Sequence, residues 1–181
     1  MEESLIELDG PWIGIHDGDP RGIALYHRHY SARHYRDGRR RTLFVGPGQK
    51  MVLLTIRADA LFVWRKFISD DGQDGVNCAI FRNEGQRLSS DLILAAEEMA
   101  WRRWPRERLF TYVWDAKVKS VNPGYCFKMA GWTSCGRNKD GRLTILEKWP
   151  VKKNPSCAAR GFSQVGEIED VMLPPTNCLS Q

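Results

Sequence analysis

Residues 76–132 read VNCAIFRNEGQRLSSDLILAAEEMAWRRWPRERLFTYVWDAKVKSVNPGYCFKMAGW, and the order of elements in this stretch decides the fold. Val76–Phe81 is a short apolar run of the kind that forms a central strand. Arg82-Asn83-Glu84-Gly85-Gln86-Arg87 is a polar turn. Ser89 or Ser90 stands where a cap is needed for a helix running to about Arg103. Leu92, Ala95, Ala96, Met99 and Arg103 recur at helical spacing and give that helix one face for a sheet. Pro105 lies just beyond its end. Leu109–Trp114 reads as the next strand. Asn122-Pro123-Gly124 then opens a short helix over 125–130, and Gly131-Trp132 closes it. A strand, a crossover helix and a second strand place the two strands parallel. Polar turns then sit at their carboxyl ends, where ligands bind in open α/β sheets. The expected class is α/β (α+β), with a central mixed β-sheet flanked by helices.

Working outward, Met51–Ile56 and Ala60–Phe67 are rich in Val, Leu, Ile, Phe and Trp and read as a hairpin joined by Arg57-Ala58-Asp59. Thr42–Val45 reads as a short strand before the Gly46-Pro47-Gly48 turn. Ser69–Gly75 is a polar loop, and Arg142–Trp149 a final strand. Residues 1–24 show turns without an assigned element. Residues 151–181 lose periodicity. The expected organisation is one domain over 1–150, carrying an Arg/His-rich arm at 25–41, with an irregular tail at 151–181 packed on it.

A chain of 181 residues is long enough to bury its own core. Its net charge of +5 and pI near 9.0 suit a polyanionic partner. Five cysteines, odd in number and without a CxxC pair, point to a reducing compartment. No apolar run reaches membrane-spanning length, and the acidic Met1-Glu2-Glu3 start is unlike a signal peptide. A cytoplasmic protein with no membrane partner is expected. The arm, LYHRHYSARHYRDGRRR, sets Arg28, Arg33, Arg36, Arg39, Arg40 and Arg41 against Asp37 and interleaves tyrosines and histidines. Such a segment is either a solvated basic loop or a phosphate-contacting arm with rings free to stack on bases. Arg103, in Trp101-Arg102-Arg103-Trp104, extends the same basic character.

Several side chains are candidates for chemistry. His29, beside Tyr30 and Ser31, is suited to act as a base near neutral pH, or else packs or contacts phosphate. Arg82 has the fork that clamps a phosphate or carboxylate, and Glu84 is a second base unless the turn simply faces solvent. Ser89 and Ser90 cap their helix and leave backbone N–H groups for an anion. Asn122, Tyr125 and Lys128 share one helical face, with Tyr125 the phenol placed to donate a proton. His27, His29 and His34 lack ligand spacing, so no metal site is expected. Cys78 and Cys126 read as structural thiols.

From His29 to about Lys148 the chain resembles the GNAT (Gcn5-related N-acetyltransferase) superfamily. Within it, the chain is similar to the phage DNA-modification branch that includes the Mom protein of phage Mu. The motifs that carry the resemblance are Cys78-Ala79-Ile80-Phe81, the Arg82–Leu88 turn, the Ser89–Arg103 helix, and Asn122 followed by Cys126-Phe127-Lys128-Met129-Ala130-Gly131-Trp132. It implies transfer of a small acyl-type group to an amino nitrogen of a base in double-stranded DNA. It also implies acetyl-CoA or another acyl donor, held around Phe81, Arg82, Asn83, Gly85, Ser89, Ser90 and Asn122, and a host-cell cytoplasmic location. Two departures stand out. The loop pattern Gln/Arg-x-x-Gly-x-Gly/Ala has Arg87 at its last, small position. The tyrosine of the last helix aligns with Phe127, which carries no proton to give. Two other functions stay open: an acyl-CoA-dependent N-acetyltransferase of a small amine or protein, and a non-catalytic DNA-binding protein.

Overall fold

The structure is a computed structural model that describes residues 10–32, 37–38, 42–69, 72–118 and 120–151. The chain divides into Met1–Pro150 and Val151–Gln181, and every element below lies in the first unit. Along the chain run β1 (Trp12–Ile15), α1 (Pro20–Tyr26), β2 (Gln49–Thr55), β3 (Ala60–Lys66), β4 (Val76–Asn83), α2 (Ser89–Arg103), β5 (Leu109–Val113), α3 (Tyr125–Met129), β6 (Thr133–Arg137) and β7 (Thr144–Lys148). Among the described residues the strands form one mixed sheet in the order β1-β2-β3-β4-β5-β7-β6. β4 and β5 are parallel, and every other neighbouring pair is antiparallel.

Both faces of the central strands are covered, so β2 and β3 bury consecutive rather than alternate residues. On one face, α2 and α3 cover Trp12, Phe62, Trp64, Val76 and Leu146. On the other, Leu25 and Tyr26 of α1 pack with Phe44, Leu54, Leu61 and Ile80. Three indoles fix the position of α2. Trp12 Nε1 donates to the Leu92 carbonyl at 2.9 Å, and Trp64 Nε1 to that of Ala96 at 3.1 Å. Trp132 Nε1 donates to Glu97 Oε1 at 2.5 Å. Each buried indole N–H thereby keeps a partner, which avoids a desolvation cost of about 1–3 kcal/mol.

The parallel pair shapes everything that follows. Gly75 starts it: its φ is +119°, and a Cβ there would stand 2.4 Å from the Arg108 carbonyl. Only glycine lets the two strands begin side by side at this point. Register then runs for three residues, Val76↔Leu109, Asn77↔Phe110 and Cys78↔Thr111. Opposite β3, Val63 pairs with Ile80 and Trp64 with Cys78, so Ala79 is an extra residue. Such a bulge bends its strand and increases the twist. β4 therefore leaves β5 directly after Cys78 and continues to Asn83 beside β3 alone.

The sequence reading needs correction at several elements. β1, α1 and β6 were not expected. Thr42–Val45 is not a strand. Phe44 N donates instead to Asp17 Oδ1 at 2.7 Å, and Phe44 and Val45 are buried without pairing. The α2 cap is Leu88, not Ser89 or Ser90, because the Ser89 hydroxyl accepts from Asn83 Nδ2 at 3.0 Å. Asn122 does not cap α3. Gly124 does, with φ +74°, while Asn122 Oδ1 accepts from Lys128 Nζ at 2.6 Å. The arm is not one exposed piece, since Leu25 and Tyr26 end α1 inside the core. The expected tail from 152 onward lies outside the described residues.

Candidate functional site

Where β4 and β5 separate, a cleft of about 160 Å³ opens between them. It lies at the carboxyl ends of the parallel strands, the usual ligand position in open α/β sheets. Phe81, Thr111 and Val113 come from the strands, and Cys126 and Phe127 from α3. His29 and Tyr30 come from the turn that follows α1. A wider depression of about 580 Å³ lies at the amino ends, around Arg108 and Trp149. There Arg108 is already bonded to Glu147, Gln73 and the Asp74 carbonyl.

His29 and Tyr30 bridge the mouth of the cleft. The His29 ring is buried and lines the cleft with Phe81 on the β4 side. Its Nδ1 meets Ser31 Oγ at 2.7 Å and accepts the Ser31 backbone N–H at 3.2 Å. Tyr30 stacks obliquely on this ring, with centroids 4.3 Å apart. Tyr30 lines the cleft with Tyr112 and Val113 of β5. The residue as a whole is 40% exposed. Burial is the main reason its phenol is pushed up to about 12, with the Cys78 thiol adding to the effect. Tyr30 therefore keeps its proton throughout the physiological range.

Burial, and then the charge of Arg82, lowers His29 to about 4, while the Phe81 hydrogen bond opposes them. The imidazole is neutral at physiological pH. The same shift couples folding to pH. An unfolded histidine binds its proton near 6.5, whereas folded His29 waits until about 4. The contribution is full above pH 6.5 and is lost as pH falls toward 4. The urea midpoint of the protein should therefore fall more steeply across that window than that of a His29→Asn variant. Equal slopes would show that His29 titrates near its ordinary value.

The remaining candidates lie around the cleft rather than in it. Glu84 is held between two arginines: Arg28 grips both its oxygens at 2.8 and 2.7 Å, and Arg82 Nε donates to Oε1 at 2.5 Å. These bonds, Arg28 first, lower its carboxyl to about 2, which makes it a poor proton acceptor. Arg28 and Arg82 are correspondingly engaged within the protein. Asn83 stitches the turn, donating to the Arg87 carbonyl at 2.8 Å and accepting the Gly85 N–H at 2.9 Å. Gly85 packs so closely on Asp59 that a Cβ would stand 2.6 Å from the carboxylate. The turn is thus preformed, with the α2 N-terminus and Ser89 and Ser90 behind it. Tyr125 is 54% exposed and does not line the cleft. Arg103 is exposed and lies over the Trp104 ring. Arg33, Arg36, Arg39, Arg40 and Arg41 lie outside the described residues.

Tyr30 is the residue that the sequence reading undervalued. Its only signal there was its place between His29 and Ser31. Among the described residues, no group of three or more His, Cys, Asp or Glu side chains gathers as a metal site would require. No helix among them is long and apolar enough to cross a membrane. No protein-family model, curated protein or solved structure matches the chain.

Proposed function

We propose that this chain is a GNAT-like transferase that moves a small acyl-type group from acetyl-CoA or another acyl donor to an amino nitrogen of a base in double-stranded DNA. The observation that carries the reading is the cleft between β4 and β5 where their pairing ends, lined by a neutral imidazole and a protonated phenol. The elements also follow the order that the resemblance implies: strand, polar turn, long helix, strand, short helix.

The chemistry asks for one proton acceptor and one proton donor. As the amino nitrogen bonds to the acyl carbon it loses a proton, for which the His29 imidazole is the acceptor among the lining residues. As the bond from the acyl carbon to the donor sulfur breaks, Tyr30 supplies a proton to the leaving thiolate. The Arg82 charge opposes a lasting imidazolium, so His29 gives the proton up again and Tyr30 is restored. A base inside a duplex must be flipped out to present its amino group here.

A cleft of about 160 Å³ is smaller than the roughly 300–1,000 Å³ of sites that enclose a drug-sized ligand. The acceptor enters by its amino end, and a small amine or a lysine side chain fits the same opening. That second reading is separated from the first by mass spectrometry of nucleosides digested from DNA treated with the protein and cell extract. Unmodified DNA and DNA bearing amino-modified thymine are compared, and free amines with acetyl-CoA are run in parallel. An adducted nucleoside that disappears with Tyr30→Phe supports DNA modification. Acylated free amine with unmodified DNA moves the assignment to a small-amine acetyltransferase. DNA bound without any adduct leaves a binding protein.

A further inference from the structure

We propose that Arg57 and Arg87 form a clamp for the phosphodiester backbone of DNA at the end of the sheet where the cleft opens. This inference rests on the DNA-transferase reading and names a contact surface for its acceptor. The β2–β3 turn and the β4–α2 turn are neighbours because β3 sets Ala60 opposite Asn83. Glu84 N donates to the Asp59 carbonyl at 2.8 Å and locks them together. Between the turns lies a pocket of about 460 Å³ whose charged lining is Arg57, Arg87 and Asp59.

The charges of this pocket are not equally available. Asp59 Oδ1 accepts from Thr55 Oγ1 at 2.6 Å, and the Gly85 backbone packs against the same carboxylate. Arg28 and Arg82, two further cations at this end, are occupied by Glu84. Arg57 and Arg87 are exposed, and among the described residues their guanidinium groups have no ion pair or side-chain hydrogen bond. Two free guanidinium forks facing one open pocket suit a phosphate oxygen pair.

Position argues for a polymer. The pocket lies at the β2–β3 turn and the turn that follows β4, and the cleft borders β4 on its β5 side. A ligand that reaches both must pass over the end of β4. A DNA strand does so when its base enters the cleft and its backbone runs across the two turns. Non-specific phosphate contacts of this kind fix register and carry the salt dependence of binding.

The test is duplex DNA binding by fluorescence anisotropy as a function of salt. Arg57→Gln and Arg87→Gln should each reduce the slope of log K against log salt by about 0.9, and the pair by about 1.8. Arg57→Lys and Arg87→Lys should keep the slope, because the charge remains. Arg106→Gln, at the amino ends of the parallel strands, should leave it unchanged and serves as the control. Thermal unfolding of each variant checks that these exposed changes leave the fold intact. An unchanged slope in the double glutamine variant, with salt-dependent binding by the unaltered protein, overturns the clamp and leaves the DNA reading standing. No salt-dependent DNA binding by the unaltered protein overturns both.

Discussion

Lys148→Met should destabilise the protein by about 3–5 kcal/mol, the usual cost of removing one partner from a buried ion pair. Lys148 Nζ donates to Glu97 Oε2 at 2.5 Å and to the Ala130 carbonyl at 2.6 Å. The Glu97 side chain is 2% exposed and that of Lys148 18%. Methionine fills similar volume but leaves the carboxylate with Trp132 Nε1 as its remaining donor. Burial already raises the Glu97 pKa above 4.5, against the opposing pull of Lys148. A raised folded-state value means that the folded chain holds the proton more readily than the unfolded one. Stability from this group is therefore fullest below pH 4.5 and declines as pH rises through the folded value. Without Lys148 the value climbs further, so the penalty should be largest at neutral pH and shrink as pH falls. The double variant Glu97→Gln with Lys148→Met should recover most of the loss, because a neutral glutamine still accepts from Trp132. Urea unfolding at pH 7 and pH 4.5 measures all of this. A loss below about 1 kcal/mol at pH 7 would mean that water reaches the pair. The pair joins α2 to the end of α3 and to β7, so losing it also loosens the wall that carries Cys126 and Phe127.

None of that network was legible in the sequence, where Glu97 is one polar residue of a helix and Lys148 stands 51 positions away. Long elements with strong patterns were readable. The β2–β3 hairpin, β4, the 15-residue α2 and β5 all occur close to their expected places. The four residues of β1 and seven of α1 are too short to show a period, although Asp19-Pro20 is a proper helix start. Every residue of β6 is exposed, so it has no buried face to give it an alternating pattern. Caps were misplaced for a local reason: Asn83 and Lys128 take the side chains that would have done the capping. The candidate site was half readable. His29 and Ser31 do meet, at 2.7 Å, as their spacing allowed. Tyr30 could not be ranked above Tyr125, because the cleft it lines forms only where β4 and β5 part, beside a one-residue bulge at Ala79. No local pattern announces that bulge, and it arises only when β4 pairs with β3.

Tyr30→Phe should lower kcat by about 10²–10⁴-fold, the typical contribution of a positioned proton donor. The substitution keeps the ring that lies against His29 and removes only the hydroxyl. KM should stay within a few-fold, since binding surface is preserved while a group used in the transition state is lost. A phenol near 12 remains protonated across any practical assay range, so the pH–rate profile should show no limb from Tyr30. An acid limb near 4, absent in His29→Asn, would instead report the base. Tyr125→Phe is the informative contrast. Tyr125 sits on α3 as the sequence reading wanted, but it is 54% exposed and points no hydroxyl into the cleft lining. Its loss should change kcat less than about threefold. The two phenols thus make opposite predictions under a single assay, the yield of adducted nucleoside per enzyme per minute. If Tyr125→Phe proves the damaging change and Tyr30→Phe the harmless one, the reacting atoms meet outside the cleft, on the exposed side of α3. If Tyr30→Phe costs only stability, by about 1 kcal/mol, its hydroxyl is a tie between the His29 turn and β5 and nothing more. A large kcat loss with an unchanged unfolding midpoint is the combination that a structural tie does not produce.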